Sequence, residues 1–108
     1  MTGDAYPPRA ALTGFSDGTA EVELGGDLDD LAVPALSAEV NRVLDRRPHR
    51  LIFDLRGVTF LDIGAIRTLA GAALTLPGRT RPVIRGASTV IRSLLDLSSF
   101  NAAFEFEE

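Results

Sequence analysis

Apolar and polar residues alternate strictly near the start of the chain. Residues 20–24 read Ala-Glu-Val-Glu-Leu, which is typical of a strand with one buried face and one wet face. An earlier β-compatible run, residues 10–15, is separated from it by Asp17 and Gly18. Glycine accepts the positive φ that tight turns need, so the pattern predicts a β-hairpin.

Three later segments carry apolar residues at helical spacing. Their stripes are Leu36, Val40, Val43 and Leu44, then Ile66, Leu69, Ala70 and Ala73, and then Val90, Leu94 and Leu97. Spacings of three and four predict that each helix buries one face. Pro34 fits only the first turn of the first helix, where Asp29 or Asp30 can cap the free amides, and Ser88 stands at the N-cap position of the third.

A short strand-like run follows each of these helices, over residues 51–55, 82–85 and 101–106. Parallel strands need crossovers of helical length, so a hairpin followed by three helix–strand units predicts an α/β fold. We expect a single domain over residues 10–106, with a mixed β-sheet opened by the hairpin and about three helices packed mainly on one face. Residues 1–9 contain Gly and Pro without periodicity, which predicts a flexible N-terminal lead-in.

Composition excludes several classes of function. The net charge of −4 argues against nucleic acid as a partner, because phosphate binding needs clustered Lys and Arg. Cysteine is absent and His49 is the only histidine, so we expect no thiol chemistry, no metal site and no cofactor. Neither a bilayer-length apolar run nor a signal peptide is recognisable, which predicts a cytoplasmic protein without direct membrane insertion. We also expect a monomer or weak dimer.

One segment carries the strongest candidate chemistry. Residues 51–69 read as a buried strand, a short turn and a second apolar run, with Asp62 at the mouth of the second helix. As an N-cap, its carboxylate would accept from the amide of Gly64 or Ala65, worth roughly 1 kcal/mol. An acidic side chain at a strand-to-helix junction is also a surface that a partner can recognise.

The same segment resembles the signature of the STAS domain family, whose soluble members are bacterial anti-sigma factor antagonists. The matching positions are Asp54, Leu55, Phe60, Leu61, Asp62 and Ile66. Residues 26–29, Gly-Asp-Leu-Asp, resemble the family's Gly-Glu-Leu-Asp loop, and residues 90–100 resemble its final helix. The resemblance extends over roughly residues 12–106.

The resemblance implies a partner-binding face and the loss of a regulatory switch. The implied partner-binding residues are Asp27, Asp29, Asp62, Ile63, Gly64 and Arg67. The serine that a partner kinase phosphorylates in typical members falls at Ile63, which has no hydroxyl, so the usual position cannot be phosphorylated. Thr59 and Thr68 lie nearby but read as strand and helix, and neither inherits the position.

Three hypotheses about function follow. In the first, the protein binds an anti-sigma factor, a serine kinase of the histidine-kinase-like ATPase fold, and thereby frees a sigma factor without the serine switch. In the second, it is a STAS subunit or scaffold of a larger complex, such as a lipid-transport ATPase or a stress-signalling assembly. The third, ranked last, is an enzyme built on a cluster of Asp27, Asp29, Asp30, Asp54 and Asp62. Because no base or nucleophile accompanies that cluster, we expect a protein that is not an enzyme.

Overall fold

The computed structural model describes residues 6–107, so residues 1–5 of the expected lead-in lie outside the described residues. The strands are β1 Arg9–Ser16, β2 Thr19–Leu28, β3 Arg50–Leu61, β4 Val83–Arg85 and β5 Glu105–Glu107. The α-helices are α1 Val33–Leu44, α2 Ile63–Gly71 and α3 Thr89–Leu97. Short 3-10 turns occupy Asp30–Ala32, Ala72–Leu74 and Asn101–Ala103.

The sheet follows chain order, β1-β2-β3-β4-β5. β1 runs antiparallel to β2, and each later pair of neighbours is parallel. The hairpin turns at Asp17 and Gly18, whose φ angles are 53° and 79°. The predicted hairpin and the mixed α/β sheet are therefore confirmed.

A single core fills the space between one face of the sheet and the three helices. Leu51, Phe53 and Leu55 of β3 point into it, together with the alternating apolar residues of β2. Each helix adds its buried side chains to the same cluster, among them Leu36, Val40 and Val43, then Ile66, Leu69 and Ala70, and then Ile91 and Leu95. The helices thus pack on one face of the sheet, as predicted.

The opposite face of the sheet carries charged side chains over a thin apolar layer. Ile52 and Val83 pair across β3 and β4 on this face and are buried. Arg85 spans the strands above them, donating to Glu21 at 3.0 Å and to Glu107 at 2.5 Å. Ion pairing lets these long side chains cover apolar surface while their charged ends stay in water.

Three predictions about individual elements are wrong in part. The strand expected over residues 101–106 is shorter and later, since a 3-10 turn occupies Asn101–Ala103 and β5 spans Glu105–Glu107. The strand expected over residues 51–55 is only the first half of a twelve-residue strand, because β3 continues through the expected turn to Leu61 and stays paired with β2. In α3 the predicted stripe is wrong in part, since Val90 is 67% exposed and Leu97 is 85% exposed, although Leu94 packs against the core. Ile91 and Leu95 are buried instead.

Candidate functional site

The ends of β2 and β3 bring the candidate residues to one edge of the sheet. The backbone N–H of Asp62 donates to the carbonyl of Leu28 at 2.9 Å, which ties the exit of β3 to the exit of β2. Asp62 then caps α2, but not as predicted. Its Oδ1 accepts from the amide of Ile63, the first residue of α2, at 2.6 Å and not from Gly64 or Ala65.

Asp27 lies near the end of β2, and Asp29 follows that strand at the start of the connection to α1. Asp29 accepts from the amide of Ala32 at 3.1 Å and caps the 3-10 turn that leads into α1, whereas α1 itself, with Ala32 as its N-cap residue, has no side-chain cap, so the predicted cap lies one turn earlier. Asp27 accepts a hydrogen bond from the hydroxyl of Thr59. Thr59 falls at the register shift where β3 has one more residue than β2, and such β-bulges re-aim side chains.

Exposed apolar side chains lie among these carboxylates. Ile63 is 46% exposed at the start of α2, and Phe60, which precedes Asp62 on β3, is 43% exposed. Leu31, in the 3-10 turn before α1, is 86% exposed. The sequence pattern marked Phe60 only as part of the family resemblance and did not single out Leu31, although a leucine directly after the candidate capping residues Asp29 and Asp30 was a usable signal.

Gly64 lets the starts of α1 and α2 come close together. A Cβ at Gly64 would lie 3.3 Å from Cγ2 of Val33, which is tighter than ordinary van der Waals contact. The hydroxyl of Thr68 donates back to the carbonyl of Gly64 at 2.9 Å, inside α2. The predicted residues Asp27, Asp29, Asp62, Ile63 and Gly64 thus share one end of the domain.

Arg67 lies one helical turn beyond Ile63 and is exposed. Its guanidinium carbon is 5.8 Å from the centre of the Phe100 ring, within the range of a cation–π contact. Arg67 therefore extends the same side of α2 toward the segment after α3. Its positive charge sets it apart from the acidic residues at the start of the helix.

The five aspartates of the enzyme hypothesis do not converge. Asp54 lies within the sheet, where its carboxylate is bonded to Arg56, and this bond lowers the pKa of Asp54. Over residues 6–107 no group of three or more His, Cys, Asp or Glu side chains is placed to hold a metal ion. The arrangement offers a surface of carboxylates and apolar side chains and, among the described residues, shows no assembled acidic centre.

None of the described helices has the length and apolar character needed to cross a membrane.

Comparison with known proteins gives a consistent picture. A family model described as "Mlab, STAS domain" matches residues 11–105. The comparison with curated proteins finds no match.

Solved structures with the same fold include an anti-sigma factor antagonist from Mycobacterium paratuberculosis. It is 23% identical with a TM-score of 0.81, and the alignment covers 93% of this chain and 85% of that one. The Bacillus cell fate determinant SpoIIAA in its phosphorylated form is 18% identical with a TM-score of 0.67, covering 93% and 92%. Its unphosphorylated form is 17% identical with a TM-score of 0.68, covering 93% and 88%.

Proposed function

The chain belongs to the STAS domain family, whose model matches residues 11–105, and we propose that it is an anti-sigma factor antagonist. In this proposal it binds an anti-sigma factor and so releases the sigma factor held by that protein. The solved anti-sigma factor antagonists of the same fold support this role over others open to the family. The protein acts by binding and carries out no reaction of its own.

The proposed contact is the docking surface, defined here by Asp27, Asp29, Leu31, Phe60, Asp62 and Ile63. Its centre is apolar and its rim is acidic, and protein interfaces commonly have an apolar core surrounded by a polar rim. Charge complementarity then predicts a partner with an apolar centre ringed by Arg or Lys. Gly64 contributes by keeping the backbone compact, and Arg67 lies on the same helix as a candidate contact at the margin.

We further propose that the partner is of the kinase type but cannot switch this protein off. A phosphate on the usual residue would add about two negative charges to a surface already rich in carboxylates. The isoleucine at position 63 has no atom that accepts a phosphoryl group. Docking would therefore be controlled by the amount of each protein and by their affinity.

The observation that carries the proposal is the exposure of Ile63. Ile63 is 46% exposed, between the capping carboxylate of Asp62 and the small residue Gly64. The hydration of such a branched apolar side chain is unfavourable. Burying the rest of it against a partner gives favourable free energy, because apolar area removed from water contributes roughly 25 cal/mol per Å².

A pull-down from the host lysate tests the proposal. Wild type, Ile63→Glu and a matched control, Leu74→Glu, serve as baits, since Leu74 is also an exposed apolar residue but lies beyond the far end of α2. We expect wild type and the control to retain an anti-sigma factor that Ile63→Glu loses. Recovery of the same anti-sigma factor with all three baits would contradict the docking surface.

A second candidate is a STAS subunit of a larger assembly, such as a lipid-transport ATPase. It is favoured by the apolar side chains exposed away from the docking surface, which are Leu74, Val90 and Leu97. A subunit held on several sides needs more than one exposed apolar contact, and exposed apolar area can mark such contacts. Recovery of a membrane ATPase in place of an anti-sigma factor in the same pull-down would support this candidate.

A further inference from the structure

The segment before β1 is attached to the end of β2 that carries Asp27. The backbone N–H of Asp27 donates to the carbonyl of Tyr6 at 3.0 Å. This bond continues the contact between the two arms of the hairpin beyond the last β1–β2 pair, Arg9 and Gly25. Asp27 is thereby held from two sides, by Tyr6 at its amide and by Thr59 at its carboxylate.

Gly26 provides the space that this attachment needs. Its φ of +76° lies in the left-handed region that favours glycine, and a Cβ there would overlap the carbonyl of Pro7. Both the conformation and the close approach exclude a side chain at this position. The residue immediately before Asp27 is therefore shaped to receive the segment from Tyr6 to Pro8.

Arg9 fastens the other end of the segment. Arg9, Gly25 and Gly57 form one row across β1, β2 and β3. The guanidinium of Arg9 lies over both glycines, because a Cβ at Gly57 would be 2.8 Å from Nη2 and a Cβ at Gly25 would be closer still. Because Gly25 and Gly57 lack side chains, they leave a shallow trench across β2 and β3, and the flat guanidinium of Arg9 fills it.

We propose that residues 6–9 form a strap that fixes the position of Asp27, with Arg9 as the positioning residue. The Arg9 guanidinium anchors the strap on the sheet, and the Tyr6 carbonyl holds the Asp27 amide. The consequence for partner binding rests on the proposed function, since Asp27 belongs to the docking surface. Without the strap, the end of β2 that carries Asp27 would be less ordered in the free protein, and ordering it on binding would weaken affinity.

Amide hydrogen exchange of the full chain, read residue by residue by NMR, tests the strap without any partner. Arg9→Ala removes the anchor, and Gly25→Ala displaces it by placing a methyl group under the guanidinium. We expect the Asp27 amide to exchange at least tenfold faster in each variant, while amides in α1 and the melting temperature stay near wild type. Arg79→Ala, which removes an exposed arginine outside the strap, is the matched control.

The double variant adds a second check. If both substitutions act by lifting Arg9 from the trench, combining them should accelerate Asp27 exchange no further than either alone. Unchanged exchange at Asp27 in both single variants would overturn the strap, whatever happens to binding. Faster exchange with unchanged affinity for the recovered anti-sigma factor would support the strap and contradict the place of Asp27 in the docking surface.

Discussion

Arg56 binds the carboxylate of Asp54, which lies two residues earlier on β3. Its Nη2 donates to Oδ2 at 2.6 Å, its Nε lies 3.1 Å from both carboxylate oxygens, and its backbone N–H donates to Oδ1 at 3.0 Å. Asp54 is buried while the Arg56 side chain is largely exposed. The hydrogen bonds from the Arg56 side chain lower the pKa of Asp54 despite the opposing effect of burial.

The free energy of unfolding should therefore decrease in acid, because protonation of Asp54 removes its charged interaction with Arg56. Because its pKa is lower in the folded chain than in the unfolded chain, its stabilising contribution is present above the unfolded value, about pH 4. That contribution disappears as the pH falls through the folded value. Denaturant unfolding of wild type and Asp54→Asn between about pH 2 and pH 7 should show their stability difference shrinking toward the acid end. A constant difference would contradict the assignment, and Glu105→Gln is a surface control.

Asp62→Ala should affect binding more than folding. The lost hydrogen bond to the Ile63 amide is a single helix cap, worth about 1 kcal/mol of unfolding free energy. Affinity for the anti-sigma factor should fall further, because a charged group leaves the rim. Denaturation and titration calorimetry on the same preparation separate the two effects. A collapse of stability with normal binding by the folded fraction would make Asp62 only a cap.

The affinity of Ile63 variants for the anti-sigma factor should decrease as the free-energy cost of burying the new side chain increases. Ile63→Ser should bind the anti-sigma factor modestly more weakly, by about 1 kcal/mol, since part of an apolar side chain is lost. Ile63→Glu should block binding, because an unpaired carboxylate would be buried in the interface. Isothermal titration of the three proteins measures the order. Equal affinity of wild type and Ile63→Glu would exclude this end of α2 from the interface.

Gly71→Ala should stabilise the fold. Gly71 ends α2 with helical backbone angles, and a Cβ added there would have no neighbour within 4 Å. Alanine in such a position restricts the unfolded chain and should add about 0.5–1 kcal/mol. Chemical denaturation measures it. Gly26→Ala, which introduces strain and a clash, should change stability in the opposite direction.

The protein should remain without phosphate at residue 63 when incubated with ATP and a STAS-directed serine kinase. Intact-mass spectrometry followed by peptide mapping checks this. Thr68 is engaged with the Gly64 carbonyl inside α2, whereas Thr59 is exposed beside Asp27. Stoichiometric phosphate on Thr59 would show that the acceptor site has moved and would contradict constitutive docking.

Periodicity predicted the elements well and one helix face poorly. The stripe of α1 is confirmed, because Leu36, Val40 and Val43 are buried there and polar residues surround them. In α3 the apolar residues form two overlapping stripes, one through Val90 and Leu97 and one through Ile91 and Leu95. Both have helical spacing, so only packing against the sheet decides which one is buried.

Sequence reasoning placed the candidate site but missed what shapes it. The family resemblance led to Asp27, Asp62 and Ile63, and the structure brings these together. The bulge that turns Thr59 toward Asp27 depends on the pairing of two distant strands, which local pattern does not report. The glycine pair at residues 25 and 26 was visible, but its role depends on a segment far from it in the chain.

The strand ladders differ in length, so local stability should differ between the two sides of the sheet. β2 and β3 pair at nine positions, whereas β4 pairs at only three with each of its neighbours. The unit made of β4, α3 and β5 should therefore open at lower free energy than the rest, as a separate cooperative unit. Such openings leave the β2–β3 ladder intact, so a partner held at the start of α2 would stay bound while the C-terminal quarter of the chain unfolds and refolds.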